Sequence, residues 1–415
     1  MIAKTMKDAL NLFDPLQSLN EEQEIKDYYV ARENSPIDEM TAFLANAHDL
    51  PKLLFSGSPG CGKRTELAKL RENLKKQFHI ISCSAKDITT DFNVDIGALL
   101  FFVLTQITKF AKDAKLPIYT EKLEKFMQYG YGWEMNIEQT TSAKGKDLTI
   151  DPVFIEKFVK KGLDFEGALK HIFKKTSKPG NSELLEYING TVWELEGKTG
   201  KDVLLLVSDM DKISLNNAKE IFIEKFLLLT KLQCSAVFTF PLALKYEPNF
   251  IRAALNFSAV YYLPNFTAFD QYGEPDDNGQ KKLREIITKR LNDRLIYDEA
   301  LSRIIELSGG ITFELINLVR HCCIQSLKEK YEYIDEETVV SAEEKIRRFY
   351  KSVYTTDELR YLAQIRETKD FDRNETGIKL LNHLSISEYG AADDIWYDVN
   401  PILLPLLSET ETEAE

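Results

Sequence analysis

The sequence predicts an α/β fold with a parallel sheet core, followed by a helical region and a small C-terminal domain. Three observations support this. From Lys52 onward, strand-like and helical segments alternate as "KLLFSG", "RTELAKLRENLKKQ", "FHIISCSA" and "VDIGALLFFVLTQITKFAKDA". The segment "DVLLLVSDMDKI" contains the fully apolar run "VLLLV", which has the composition of a buried central strand. The chain becomes mostly helical from about Gly279. Alternating strands and helices are typical of parallel sheets, because each crossover helix covers one face of the sheet.

The composition narrows the class of protein. The chain has 415 residues, of which 44% are apolar, which is enough for more than one core. No run approaches the roughly 20 apolar residues of a membrane helix, and the N-terminus lacks the long apolar region of a signal peptide. We therefore expect a soluble, cytoplasmic protein without a membrane partner. The five cysteines and five histidines show no metal-ligand spacing, so neither a metal cluster nor a disulfide scaffold is expected.

The pattern along the chain predicts five successive regions. Residues 1 to 35 form a helix and an extended segment that leads into the α/β domain. That domain spans residues 36 to 275, with "SAVFTF" and "AVYYLP" as its last two strands and a lysine-rich helical insertion at about residues 117 to 195. Residues 276 to 350 form a helical lid domain. Residues 351 to 407 combine short helices with the hairpin-like "LSISEYG" and "DIWYDVNPILLPLL", which is the pattern of a winged helix. The acidic tail, residues 408 to 415, is expected to be disordered.

Residues 57 to 63, "GSPGCGK", match the GxxxxGK pattern of a phosphate-binding loop, directly after a strand and before a helix. Glycines let the backbone curl so that successive N–H groups converge on phosphates, while the lysine and the helix dipole add positive charge. The alternative is an ordinary glycine turn that caps a helix. The sequence thus predicts a P-loop NTPase core whose phosphate-contacting residues are Gly57, Ser58, Pro59, Gly60, Cys61, Gly62, Lys63, Arg64 and Thr65.

Arg64 stands where this loop normally supplies a hydroxyl to Mg²⁺. Thr65 is turned away from that direction, because one residue along a helix rotates a side chain by about 100°. Either the local backbone shifts and Thr65 holds the metal, or the metal site is damaged. A further hypothesis is that the Arg64 guanidinium itself neutralises nucleotide phosphate. ATP or ADP is therefore the expected cofactor, whereas bound Mg²⁺ is in doubt.

The acidic element at the end of the third strand, "VLLLVSDMDKI", carries the candidate catalytic residues Asp209 and Asp211. In such folds one carboxylate at a strand end holds Mg²⁺ and its neighbour polarises the attacking water. If Asp209 is the metal residue, Met210 occupies the position of the base. If Asp209 is the base, Ser208 occupies the metal position. One partner is missing in either register, and the remaining alternative is that both carboxylates are solvated turn residues.

These segments resemble the AAA+ and STAND class of P-loop ATPases, in particular members related to the origin-recognition ATPases. "YYVARENSPIDEM" is similar to the "hGRExE" segment that lies beside the adenine in that class, with Arg32 and Glu33 as its charged pair. "GSPGCGKRTEL" is similar to "GxxGxGKSTEL", and "LLVSDMDKI" is similar to "hhhDDLDK". The resemblance implies that Arg32 lies in the nucleotide site and that Thr239, at the strand end in "TFPLAL", is a polar sensor of the nucleotide.

The lid signature departs from the class. "ELSGGITFELINLVRHCC" resembles "SGGxPRDLxxLxR", but Thr312 and Phe313 occupy the Pro-Arg positions. For Arg320 and Thr239, a sensor role and a purely structural role both remain open. "SISEYGAADDIWYDVNP" resembles the wing that follows the lid in several of these ATPases, whereas the insertion matches nothing in the class.

Departures at Arg64 and Ser208 predict nucleotide binding with weak or absent hydrolysis, because phosphoryl transfer depends on charge stabilisation in the transition state. The leading prediction is a nucleotide-binding switch or scaffold, and the resemblance implies a bacterial signalling or defence complex. One alternative is an active Mg²⁺-dependent ATPase, in which Thr65 and Asp209 rebuild the metal site.

A second alternative is a DNA-binding regulator that uses the winged helix. The formal charge of −13, and ten acidic against five basic side chains in residues 355 to 407, disfavour phosphate contacts and make nucleic acid the less expected partner. A protein partner is expected at the winged helix or at the insertion, where Tyr129, Tyr131 and Trp133 lie in a polar segment. Association into a homo-oligomer is an additional expectation.

Overall fold

The computed structural model describes residues 2–88, 93–114, 180–391 and 394–412. The chain divides into two compact units. The first unit comprises Met1–Met40, Ser56–Glu72 and Tyr262–Glu415, and the second unit comprises Thr41–Phe55 and Asn73–Tyr261. The phosphate-binding loop therefore belongs to the same unit as the N-terminal segment and the C-terminal part of the chain. This division differs from the five regions predicted from the sequence, whose boundaries stay a prediction.

The sheet contains the five strands β1 (Lys52–Gly57), β2 (His79–Ser84), β3 (Val203–Ser208), β4 (Ser235–Thr239) and β5 (Ala259–Leu263). Their order is β2-β3-β4-β1-β5. The pairs β2–β3, β3–β4 and β4–β1 are parallel. β3 is buried from Val203 to Val207, as expected for a central strand whose two faces are covered. The five predicted strands and the α/β class are confirmed.

The helices that the structure describes are, in chain order, α1 (Met6–Leu12), α2 (Glu22–Tyr28), α3 (Ile37–Asn46), α4 (Lys63–Leu74), α5 (Ile96–Asp113), α6 (Asn181–Thr199), α7 (Leu215–Lys219), α8 (Phe226–Thr230), α9 (Phe250–Ala254), α10 (Asp277–Thr288), α11 (Asp298–Ser308), α12 (Thr312–Glu329), α13 (Glu336–Lys351), α14 (Thr356–Thr368), α15 (Glu375–Asn382) and α16 (Leu404–Thr412). None of these helices is long and apolar enough to cross a membrane.

In the second unit, α5 packs against α6 and against β2. α5 is the apolar segment that the sequence predicted as a sheet-covering helix, and its Leu99, Leu100 and Ile107 are fully buried. α6 forms the C-terminal end of the predicted insertion. Residues 115–179, with the aromatic residues Tyr129, Tyr131 and Trp133, lie outside the described residues, so a partner role for them stays a prediction.

In the first unit, α12 packs against α1, α11 and α13. These helices share an apolar core that includes Ile304, Leu315 and Leu318. The "SGG" break between α11 and α12 is confirmed, because Gly309 closes α11 with a φ of +56°. A Cβ atom on the next residue, Gly310, would lie 1.9 Å from the Phe266 carbonyl oxygen, so only glycine fits there.

The C-terminal part contains α14 and α15, followed by the antiparallel strands β6 (Ile386–Tyr389) and β7 (Trp396–Val399). The predicted order of helices and hairpin is confirmed, while the winged-helix role stays a prediction. α16 extends to Thr412, and the disorder predicted for residues 408 to 415 stays a prediction. The helix continues because the apolar residues before the tail, among them Ile402, Leu403 and Leu406, are buried and anchor its start.

Candidate functional site

The phosphate-binding loop joins β1 to α4 through a turn with three left-handed glycines. Gly57, Gly60 and Gly62 have φ values of +154°, +73° and +106°. A Cβ atom on Gly57 would lie 2.4 Å from the Leu263 carbonyl oxygen, and one on Gly60 would lie 2.7 Å from the Phe313 Cβ. Glycine is therefore required at Gly57 and Gly60 for two reasons: the backbone has a positive φ, and neighbouring atoms leave no room for a Cβ atom. A turn of this kind can direct backbone N–H groups toward an anion.

The Lys63 ammonium lies across this turn. Lys63 is buried, and its Nζ donates to the carbonyl oxygens of Gly57 and Ser58, at 3.0 Å each. Cys61 Sγ lies 3.9 Å from the same nitrogen. Because Lys63 is also the first residue of α4, its charge adds to the positive end of the helix dipole. This arrangement fixes a cation within the turn before any ligand arrives.

Arg32, which the resemblance placed in the nucleotide site, contacts the loop directly. Its Nη2 donates to the Cys61 carbonyl oxygen, and its Nη1 donates to the Pro264 carbonyl oxygen at 2.7 Å. A Cβ atom on Gly62 would lie 2.7 Å from Nη2, so the guanidinium lies directly against the glycine turn. The guanidinium also stacks on the Phe266 ring at 4.1 Å from its centroid. The neighbouring Glu33 is exposed, so the two members of the predicted charged pair have different surroundings.

Glu66 is a site residue that the sequence reasoning missed. Its Oε1 lies 3.3 Å from Arg32 Nε, while its Oε2 accepts from the Tyr29 hydroxyl at 3.0 Å and from Ser35 Oγ at 2.9 Å. Burial and the nearby Glu66 carboxylate raise the pKa of Tyr29 well above its usual range, so the tyrosine remains a proton donor. The available signal was the position of Glu66, in the first turn of the helix that follows the loop.

The first turn of α12 contacts the loop through one backbone and one side-chain hydrogen bond. The Phe313 N–H donates to the Gly60 carbonyl oxygen at 3.0 Å, and the Thr312 hydroxyl donates to the Cys61 carbonyl oxygen at 3.4 Å. These two residues occupy the positions at which the resembling class has Pro-Arg. They therefore fasten the helix to the loop without contributing a charge.

Strand β6 makes a second contact with the loop that the sequence did not reveal. The Glu388 N–H donates to Ser58 Oγ at 3.3 Å, and the Glu388 carbonyl oxygen accepts from Asn265 Nδ2 at 3.0 Å. Asn265 lies directly after Pro264, whose carbonyl oxygen Arg32 binds. Three segments are thus hydrogen-bonded to the loop. The hairpin and the N-terminal segment are bonded to it directly, and the segment after β5 is bonded to it through Glu388 and Arg32.

Arg320 has a structural role in this arrangement. Its Nη1 donates to the carbonyl oxygens of Leu10 at 3.1 Å and Phe13 at 3.5 Å. These carbonyls lie at the C-terminal end of α1, where the last helical carbonyls lack partners within the helix. Of the two roles left open for Arg320, the geometry favours this helix cap.

Arg64 and Thr65 keep regular helical positions. α4 begins at Lys63, and the backbone N–H groups of Thr65 and Glu66 both donate to the Gly62 carbonyl oxygen, at 3.0 and 3.2 Å. The backbone shift that would move Thr65 into the place of Arg64 is therefore not observed. Since one residue along a regular helix rotates a side chain by about 100°, a metal-binding role for Thr65 stays a prediction.

In the second unit, the end of β3 carries a buried, paired carboxylate. Asp209 is 1% exposed; its Oδ2 accepts from Ser84 Oγ at 2.6 Å, and its Oδ1 pairs with Lys212 Nζ at 2.6 Å. Thr239 Oγ1 accepts from the Met210 N–H at 3.0 Å, so this predicted sensor hydroxyl supports the backbone beside Asp209. Asp211 is partly exposed within the same turn, Met210–Lys212.

In the part of each unit that the structure describes, the oxygen groups expected to hold a magnesium ion are replaced or already hydrogen-bonded. Mg²⁺ prefers several oxygen ligands in octahedral geometry. Among the described residues, no group of three or more histidines, cysteines and carboxylates gathers as a metal site. Both Asp209 oxygens already accept from protein donors, Ser208 Oγ donates to the Cys83 carbonyl oxygen at 3.3 Å, and Arg64 replaces a hydroxyl ligand.

Comparison with known proteins finds similar architectures at low sequence identity. No family model matches the chain, and no curated protein matches it. A Walker-type ATPase of Pyrococcus abyssi is 15% identical, with 96% of this chain and 99% of that chain covered and a TM-score of 0.47. Cdc6p of Pyrobaculum aerophilum is 12% identical, with 97% and 98% covered and a TM-score of 0.44. The RuvB Holliday junction branch migration motor of Thermotoga maritima is 13% identical, with 94% and 97% covered and a TM-score of 0.40.

Proposed function

We propose that this chain is a nucleotide-binding switch or scaffold that takes ATP or ADP on its phosphate-binding loop and hydrolyses it weakly or not at all. The geometry of Lys63 is the observation that supports binding. Its ammonium is held by the Gly57 and Ser58 carbonyls across a turn of left-handed glycines, at the first residue of α4. A fixed cation, a helix N-terminus and a glycine turn together favour a polyphosphate.

The contacts of the loop support a switch. Gly60 is hydrogen-bonded to Phe313 at the start of α12, and Ser58 is hydrogen-bonded to Glu388 of β6. A ligand that changes the loop changes the free energy of both contacts. Such a ligand shifts the population toward the arrangement that it binds best, and this requires no turnover.

Weak hydrolysis is supported by the charges in each unit. Transfer of a phosphoryl group needs cations and hydrogen-bond donors placed at the charge that develops in the transition state. The first unit has Arg64 where the metal-binding hydroxyl is expected, and the second unit has Asp209 already paired with Lys212. Loss of metal contacts lowers the rate of phosphoryl transfer more than it lowers the affinity for nucleotide.

The cellular role follows only from the resemblance to AAA+ and STAND ATPases, which suggests a bacterial signalling or defence complex. A protein partner or further copies of the chain are the expected partners. The excess of acidic side chains in residues 355 to 407 makes DNA the less favoured partner. Steeply salt-dependent binding to duplex DNA would reverse that order.

Isothermal titration of the full chain with ADP, ATP and GTP tests binding. We expect heat of binding and thermal protection for the wild type, and a loss of affinity of about 10- to 100-fold for Lys63→Ala, because a charge-assisted hydrogen bond contributes about 1.5–3 kcal/mol. Lys76→Ala, at an exposed position after α4, is the matched control and keeps the wild-type affinity. Absence of both heat and thermal protection at millimolar nucleotide would refute the proposal.

An assay of phosphate release from ATP in the presence of Mg²⁺ distinguishes the proposed switch from an active ATPase. We expect release at the background rate for the wild type. Release above background that Lys63→Ala abolishes would instead select the Mg²⁺-dependent ATPase.

A further inference from the structure

The end of β3 contains a cation supplied by the protein itself. Lys212 Nζ lies 2.6 Å from one oxygen of Asp209, and the Lys212 side chain is 42% exposed whereas that of Asp209 is fully buried. The other carboxylate oxygen accepts from Ser84 Oγ at 2.6 Å. Burying a carboxylate is costly unless it is paired and hydrogen-bonded. Lys212 and Ser84 meet both requirements without a metal ion.

The local backbone places Lys212 in this position. Asp209 has a left-handed φ of +61°, a conformation that few non-glycine residues adopt and that aspartate tolerates better than most. The short turn Met210–Lys212 follows, and the Lys212 N–H donates to the Asp209 carbonyl oxygen at 3.1 Å. The turn therefore reverses the chain direction, so that the Lys212 side chain reaches the Asp209 carboxylate.

Neighbouring strands hold this turn in place. The Met210 N–H donates to Thr239 Oγ1 of β4, and Ser208 Oγ donates to the Cys83 carbonyl oxygen of β2. Because β3 lies between β2 and β4, the strand end is fastened on both sides. The Lys212–Asp209 pair is thus part of a built structure and not a chance surface contact.

We propose that Lys212 is a tethered cation that takes the place of a divalent metal ion at this strand end. The pair neutralises Asp209 and directs an ammonium to the oxygen that a metal would otherwise bind. Lys212 is then the residue that keeps this carboxylate from binding a metal ion.

Manganese binding to the nucleotide-free full chain, followed by electron paramagnetic resonance, tests the proposal directly. We expect no Asp209-dependent site in the wild type. Lys212→Met should bind Mn²⁺ about tenfold or more tightly than the wild type, because it removes a positive charge within about 4 Å of the carboxylate. The double variant Asp209→Asn/Lys212→Met should lose that gain, and Lys212→Arg should behave as the wild type. Lys219→Met, which breaks the half-buried Lys219–Glu247 pair at 2.7 Å, is the matched control and should show no gain.

Two results would overturn the proposal. One is a wild-type Mn²⁺ site that Asp209→Asn abolishes, and the other is a folded Lys212→Met protein that gains no Mn²⁺ affinity. If Lys212→Met fails to fold, Lys212→Gln, which also removes the positive charge, takes its place in the same Mn²⁺ titration with the same two outcomes.

Discussion

Replacing Arg32 by methionine should destabilise the loop and its surroundings by several kcal/mol. The Arg32 and Glu66 side chains are 7% and 2% exposed, and their charged atoms lie 3.3 Å apart. Without Arg32, Glu66 keeps only the hydroxyl donors of Tyr29 and Ser35. Removing one partner of a buried ion pair costs about 3–5 kcal/mol, because an uncompensated charge stays buried. The variant also deprives the Cys61 carbonyl oxygen of its guanidinium donor.

Hydrogen exchange of the amides in α4 is the appropriate measurement. Because the chain has two compact units, we expect more than one unfolding transition, and a single melting temperature would mix them. A loss of 3–5 kcal/mol raises the population of locally open states by roughly 10²- to 10³-fold or more, and exchange in α4 rises with it.

Two further variants make this measurement specific. Arg348→Met breaks the Arg348–Glu344 pair, whose side chains are 78% and 46% exposed, and should cost at most about 1 kcal/mol. Arg32→Met/Glu66→Gln should recover part of the loss, since a neutral amide needs no counter-charge. If Arg32→Met accelerates exchange no more than Arg348→Met does, the ion pair is not the stabilising contact and the reasoning is refuted.

Two other predictions concern the same unit. Gly60→Ala should weaken ADP binding and lower the free energy of unfolding by about 1–2 kcal/mol or more, because φ is +73° and the new Cβ would lie 2.7 Å from the Phe313 Cβ. Calorimetry of the variant with and without ADP measures both effects. Wild-type values for both would contradict this prediction. Glu314→Gln should stabilise the protein at pH 8 but not near pH 4. Burial raises the pKa of Glu314 above its usual value of 4.5, although the Tyr350 hydroxyl donates to the carboxyl group at 2.7 Å. The wild-type carboxyl group therefore contributes its full stability below about pH 4.5, where it is protonated in both states. That contribution is lost as the pH rises through the pKa of the folded state. Urea midpoints of both proteins across this range measure the difference, and a constant difference would exclude Glu314 as its cause.

The sheet and the loop could be predicted because their signals are local. Each strand is a short apolar run, and "GSPGCGK" needs only its position between β1 and α4 to be interpreted. The left-handed φ values of Gly57, Gly60 and Gly62 confirm what the glycine spacing implied. The extension of α16 to Thr412 could not be predicted in this way, because the acidic composition of the tail gave no sign that the buried apolar residues before it would start a helix.

The partners of the site residues could not be predicted, because they lie far along the chain. Arg32 reaches Pro264, 232 residues away, and Glu388 reaches Ser58, 330 residues away. Nothing in the local pattern around Pro264 or Glu388 indicates these contacts. The resemblance placed Arg32 at the loop and left a sensor role open for Arg320, whose guanidinium instead binds Leu10 at the end of α1.

These distant contacts are the physical basis on which the proposed switch would work without turnover. Ser58, Gly60 and Cys61 are each bound by a different segment: by β6, by the start of α12 and by Arg32. A phosphate ligand that reorganises any of these three residues must change the free energy of a contact more than 25 residues away in sequence. Since linkage is reciprocal, anything that displaces the hairpin or α12 must also change the affinity of the loop for its ligand. Such coupling depends on binding alone, so it does not require the hydrolysis that the proposed loss of metal contacts would slow.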